Sequence, residues 1–207
     1  MEKLLAEKGY KAKSIQIYEI RDLMEKSGRV VFSAPDIAKL TGKAESIAYV
    51  YMSRLVSKGL ATRAMKGRIV LGSDSFAIAV QLVEPSYVSL DTALMFHGII
   101  HQVTRDIECA TTVNSKYFEK LGIRYHKVNK GMFYGYKKLS RGQSYTMMAE
   151  PEKALLDGIY LGIYNIQRAK DYIRSMSISR IMEFLGDYNG YAKDKIDRVI
   201  KSSIGRA

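Results

Sequence analysis

Tryptophan is missing from this chain, and cysteine occurs once and proline three times in 207 residues. With Cys109 alone, an internal disulfide framework is excluded, and the composition suits a reducing compartment. No apolar run approaches the roughly 20 residues that a membrane-spanning helix requires. The opening MEKLLAEKGY lacks the apolar core of a signal peptide. The expectation is a cytoplasmic protein without membrane association. Phosphate-loop, His-Glu-x-x-His and Gly-x-Ser-x-Gly patterns are all lacking, so no catalytic residues are visible and neither enzyme activity nor a cofactor is expected.

The scarcity that points somewhere is local. Between Ser46 and Ser73 there is no Asp or Glu, within a chain of net charge +12 and pI near 9.6. Such a balance points to nucleic acid, then an anionic membrane surface, then an acidic protein partner. Inside the acid-free window, GLATRAMKGRIVLG reads as a hairpin: β-prone runs Leu60–Ala64 and Arg68–Leu71 flank a turn at Met65-Lys66-Gly67. Arg63, Lys66 and Arg68 at its tip and flanks repel one another in the free protein, and a polyanion would neutralise them.

Upstream, Ile15, Ile17, Tyr18, Ile20, Leu23 and Met24 recur at a helical period over Ser14–Lys26, with Ser14 as N-cap. VVF reads as a short strand, and SAPDIAKLTG as a second helix with Pro35 in its first turn and Gly42 beyond its end. Over Lys43–Lys58 the spacing predicts a third helix with Ala44, Ala48, Tyr51 and Leu55 on its core face and Ser46, Tyr49, Val50 and Ser53 opposite. Helix, strand, helix, Gly turn, helix and basic hairpin in this order resemble a winged helix-turn-helix domain over about residues 14–72. That resemblance implies duplex DNA as partner, with Lys43, Ser46, Tyr49, Ser53 and Arg54 contacting it from the third helix and Arg63, Lys66 and Arg68 from the wing. Winged helices also serve protein interaction, and the acid-free window favours DNA.

A connecting helix over Phe76–Val83 and a boundary near Glu84–Ser86 are expected, dividing the chain into residues 1–84 and 85–207. The second part reads as a helix from Ser89, its hydroxyl the N-cap, to Gly98, then strands in DIECATTV, GIRYHKV, MFYGYKKL and QSYTMMA. A helix in EPEKALLDGIYLG follows, and further helices fit Ile166–Ser175, Ser179–Asp187 and Ala192–Ile204. The fold class is therefore α+β: the winged helix-turn-helix domain, then an α/β domain with a mixed or antiparallel sheet and terminal helices.

From Cys109 to Ala149 the only acid is Glu119. Lys127, Lys137, Lys138 and Arg141 there, interleaved with Tyr117, Tyr125, Phe133, Tyr134, Tyr136 and Tyr145, form a candidate second basic surface. It could bind nucleic acid by charge and stacking, or be a solvated cationic surface over an aromatic core. His97, His101 and Cys109 lack a fourth ligand at zinc spacing, so no metal is expected. GSDS at Gly72–Ser75 lacks the downstream carboxylates that nucleotidyl transfer needs to hold magnesium.

SYVSLDTALMFHGI, then ATTV, then AEPEKALLD, in that order behind the N-terminal helices, resemble the AbiEi family of antitoxins from abortive-infection toxin–antitoxin systems. The resemblance covers about Ser14 to Tyr160, and EPEKALLD is its most specific piece. It implies a transcriptional regulator that represses its own promoter by binding inverted repeats, with room for a dimer on the DNA. It also implies a phage-defence antitoxin that counteracts a nucleotidyltransferase-type toxin encoded beside it, without an obligatory stable complex. The alternative from the residues themselves is an RNA-binding or enzymatic effector that uses the basic C-terminal sheet.

Overall fold

The structure, a computed structural model, describes residues 16–186, 188 and 190–204. The chain is α+β and forms two compact units, one of residues up to Ser27 together with Phe32–Leu71, the other of Gly28–Val31 together with Gly72 onwards.

In the first unit the order is α1 (Ile17–Lys26), β1 (Val31–Ser33), α2 (Ala34–Thr41), α3 (Glu45–Ser57), β2 (Thr62–Met65) and β3 (Arg68–Val70). Gln16 stands at the N-cap of α1, its backbone N–H donating to Glu19 Oε2 at 3.1 Å. Ser14, expected as that cap, lies outside the described residues. At α2 the Ser33 N–H and hydroxyl both donate to Asp36 Oδ2, at 2.7 and 2.5 Å, which satisfies groups the first turn leaves without partners. The helix stops at Gly42, whose φ of 65° lies in the left-handed region where glycine carries no Cβ penalty. Ile20, Met24, Phe32, Ile37, Ala48, Met52, Leu55 and Ile69 close the core. Full burial of each large member stabilises the unit by about 1.5–3 kcal/mol. On α3 the core stripe is Ala48, Met52 and Leu55. Ala44, expected there, is the exposed N-cap because the helix begins at Glu45, and Tyr51, at the edge of the stripe, is only partly buried.

The three strands of this unit lie in the order β1-β3-β2. β2 and β3 pair antiparallel with Thr62 opposite Val70, Arg63 opposite Ile69 and Met65 opposite Arg68, so Ala64 forms a bulge. Lys66 and Gly67 make the turn, with Gly67 at a φ of 76°.

The second unit runs α4 (Ser75–Leu82), β4 (Ser86–Val88), α5 (Leu90–Phe96), β5 (Ile107–Thr111), β6 (Lys116–Phe118), β7 (Ile123–Lys127), β8 (Tyr136–Arg141), β9 (Ser144–Ala149), α6 (Pro151–Tyr160), α7 (Ile166–Ile173), α8 (Ile178–Gly186) and α9 (Gly190–Ile204). Its six-stranded sheet has the order β6-β7-β5-β4-β9-β8. The sheet is mixed: β4 with β9 and β5 with β7 are parallel, and the remaining pairs antiparallel. β4 and β6 add to the strands expected from the sequence.

The division between the units falls at Leu71–Gly72 and not near Pro85. The reason is α4, whose Ala77, Ala79, Val80, Gln81 and Leu82 are all buried and which packs on β4, β5 and β9. Tyr125 OH donates to Ala79 O at 2.5 Å and Thr146 Oγ1 to Phe76 O at 3.2 Å, so the helix belongs to the second core and does not act as a linker. Gly28–Val31 joins the same unit through Gln81, whose Oε1 accepts from Val30 N at 2.7 Å, and through Gly28 O, which accepts from Ser144 Oγ at 2.8 Å. Among the described residues no helix is long and apolar enough to cross a membrane.

Candidate nucleic-acid interface

On α3, residues 46, 49, 50 and 53 follow the i, i+3, i+4, i+7 spacing that puts side chains on one helix face. Ser46, Tyr49, Val50, Ser53 and Arg54 are all exposed there, while Lys43, just before the helix, is half-buried. Ile47, absent from the expected set, is exposed beside them and lies one turn from Val50. Its spacing of three residues from Val50 and seven from Arg54 is the signal that puts it on this face.

On the hairpin, Arg63 and Lys66 are exposed and Arg68 half-buried. Among the described residues, none of Lys43, Arg54, Arg63, Lys66 and Arg68 pairs with a carboxylate. A cation placed without a counter-charge gains nothing for folding from its charge, so these groups keep their full electrostatic capacity for an external anion.

The second basic surface is built differently. Lys137 and Arg180 both pair with Glu150, the latter at 3.1 Å, and Arg141 Nε donates to Asp74 Oδ2 at 2.8 Å. Lys127 Nζ donates to Asn114 Oδ1 at 3.2 Å, and the Lys138 ammonium lies 4.2 Å from the centre of the Tyr145 ring. Partial burial works against the Glu150 carboxylate, yet the bond and charge of Lys137, with Arg180 and His97, hold its pKa below the usual carboxylate range. The rings are engaged as well. Tyr125 is buried, Phe133, Tyr134, Tyr136 and Tyr145 are partly buried, and Tyr117, although exposed, has the Arg124 guanidinium 3.9 Å from its ring centre. Of the four cations of this surface, Lys137 and Arg141 are thus matched by carboxylates, while Lys127 meets a neutral amide and Lys138 a ring.

The segments SYVSLD and EPEKALLD meet in a buried polar cluster. Lys153 Nζ donates to Asp157 Oδ1 at 2.5 Å and to Tyr188 OH at 2.9 Å, while Tyr87 OH and Ser89 Oγ donate to Asp157 Oδ2 at 2.9 and 2.8 Å. Lys153, Asp157, Tyr87, Ser89 and Tyr188 are all fully buried. Rings of Tyr134, Tyr188 and Tyr87 stand 4.8, 5.1 and 5.9 Å from the ammonium. Burial and then the Asp157 carboxylate push the Tyr87 and Tyr188 phenols well above their ordinary value, which keeps them protonated as donors. Ser89 does stand at the N-cap of α5, but its hydroxyl serves Asp157 instead of the helix. Asp91, two residues on, pairs with Arg168 and accepts from Tyr164 OH at 2.7 Å. The cluster ties β4 and α5 to α6 and the segment before α9, and none of its five side chains is exposed.

A cleft of about 490 Å³ in this unit is lined by Asp91, Thr104, Arg105, Asp106, Glu108 and Arg168 among others. Two of its carboxylates are matched by arginines, Asp91 by Arg168 and Asp106 by Arg124 at 3.3 Å, and Glu108 lies 3.4 Å from His126 Nε2. Cys109 is buried on β5, its thiol pushed up by burial and the neighbouring Glu108, and His97 Nε2 bonds Ala149 O at 2.8 Å. Among the described residues no group of three or more His, Cys, Asp or Glu is placed to hold a metal ion. No protein-family model and no curated protein matches the chain.

Proposed function

We propose that this chain is a DNA-binding transcriptional regulator that represses its own promoter, with α2 and α3 as the helix-turn-helix, α3 in the major groove and the β2–β3 hairpin as a wing on the phosphates. The observation that carries the reading is the exposed face of α3 together with hairpin cations that no carboxylate neutralises among the described residues, in a window without an acid. A positive surface left unpaired within the fold is what counterion release on duplex binding requires. The carboxylate partners of Lys137 and Arg141 weigh against the alternative of an RNA-binding or enzymatic effector working through the sheet, since half of that surface's charge is already matched.

In the same reading the second unit supplies antitoxin activity against a nucleotidyltransferase-type toxin encoded alongside, in a phage-defence system located in the cytoplasm. This part rests on the resemblance of SYVSLDTALMFHGI, ATTV and AEPEKALLD to the AbiEi family. The polar cluster gives that pattern a structural role, since Tyr87, Ser89, Lys153 and Asp157 hold one another in place. The test combines a mobility shift of the full chain on the DNA upstream of its gene with co-expression beside the neighbouring gene product. The reading expects a shifted upstream duplex that an unrelated duplex of equal length does not compete away, and rescue of growth. Absence of both overturns it.

A further inference from the structure

The exposed face of α3 has an unusual chemistry for a groove-reading helix. Its sequence, ESIAYVYMSRLVS, contains no Asn, Gln or Lys. Bidentate reading of adenine needs Asn or Gln, and bidentate reading of guanine needs Arg or Lys. Only Arg54 is left for guanine and nothing for adenine. The accessible area is instead apolar: Ile47 is 41% exposed, Tyr49 55% and Val50 46%. Between them stand the hydroxyls of Ser46 and Ser53, which bond either kind of base edge. In the major groove the one apolar feature of a base pair is the C5-methyl group of thymine.

Taking the DNA-binding reading above as its basis, we propose that α3 recognises a thymine-rich half-site through methyl contacts, with Arg54 fixing a single guanine at one end. Ile47, Val50 and Arg54 follow i, i+3, i+7 and so lie along one line of the helix. At 1.5 Å per residue they span roughly 10 Å, or about three base-pair steps of 3.4 Å. Ile47 and Val50 then meet the methyls of neighbouring thymines while the guanidinium reaches O6 and N7 of a guanine beyond them. Duplex DNA is the occupant that the surrounding charge fits. An acidic protein would match the cations of the hairpin but would place no apolar groups at a base-pair repeat.

The test uses the full chain. Duplexes are selected from a randomised pool at moderate salt, and each thymine of the selected site is then replaced by uracil, which removes the methyl and leaves the pairing edge intact. The expected site holds consecutive T·A pairs next to one G·C pair, and uracil at the contacted positions weakens binding about fourfold per methyl, the value of one buried CH₂ group. Val50→Ala, an exposed substitution whose folding is checked by thermal melting, should erase the difference between thymine and uracil at one position only. Equal affinity for the thymine and uracil duplexes, or a selected site rich in G·C pairs, overturns the proposal and leaves DNA binding standing. Tight binding without any sequence enrichment also overturns it, since the hairpin cations alone would then account for affinity. Failure to retain any duplex overturns both this proposal and the DNA-binding reading.

Discussion

Lys153 and Asp157 lie one turn apart on α6, both without solvent exposure, with the ammonium 2.5 Å from one carboxylate oxygen. The carboxylate has three further hydroxyl neighbours in Tyr87, Ser89 and Tyr188, whereas the ammonium has Tyr188 OH and ring faces. The two residues are therefore unequal. Asp157→Asn leaves a buried ammonium with no counter-charge and should destabilise the chain by about 3–5 kcal/mol, the range for breaking a buried pair. Lys153→Met leaves a carboxylate still held by hydroxyl donors and should cost less. Urea unfolding of both variants measures the order, and a larger loss for Lys153→Met contradicts this account of the cluster.

Gly158 sits on the same helix with no room beside it. A Cβ there would fall 2.0 Å from Cε2 of Tyr164, and that ring is pinned by its hydroxyl on Asp91. Gly158→Ala should lower stability by at least 1–3 kcal/mol through overpacking. Gly186→Ala, where nothing lies within 4 Å, should be neutral or slightly stabilising as a helix substitution. Thermal melts that rank the two the other way round would refute the packing described for α6.

Glu150 carries a pH prediction. Its pKa is lowered in the fold, so the stability it contributes is complete above the unfolded carboxylate value of about 4.3 and is lost as pH falls through the folded value. The melting temperature of Glu150→Gln should lie below that of the parent protein at pH 7, and the gap should narrow near pH 3. A gap that stays constant across this range would remove the ion pairs with Lys137 and Arg180 as its source.

Tyr49 tests the placement of α3. Tyr49→Ala should weaken binding to the upstream duplex more than binding to an unrelated duplex, since base-edge contacts carry sequence information and phosphate contacts do not. Equal losses on the two duplexes, read by fluorescence anisotropy, would place this face away from the bases.

The parts of the fold that were legible in the sequence are those with a period. Ser46, Tyr49, Val50 and Ser53 announce an exposed stripe by spacing alone, and Gly42 and Gly67 mark their turns. Ala44 leaves the core because α3 begins one residue after it, and Met52, four residues beyond Ala48, shares the buried stripe. Ser86–Val88 shows no alternation, since a strand buried on every residue has no polar side, and β6 is only three residues at a sheet edge. Pro85 looks like a linker, but α4 before it is apolar nearly all round and packs inside the second unit. Lys153 and Asp157 were the least visible, because a charged pair at i and i+4 ordinarily marks a solvated face. What buries them is a set of rings from Tyr87, Tyr134 and Tyr188, which are distant in sequence.

The most direct measurement of the central claim is the salt dependence of duplex binding by the parent chain and by the triple variant Arg63→Ala, Lys66→Ala, Arg68→Ala. The three cations have no carboxylate partner among the described residues, so their removal should leave the melting temperature almost unchanged. Each phosphate contact contributes about 0.9 to the slope of log affinity against log salt. The account predicts a slope flatter by about three units in the triple variant, with the preference for the upstream duplex retained. An unchanged slope would contradict it, because these cations would then face something other than DNA.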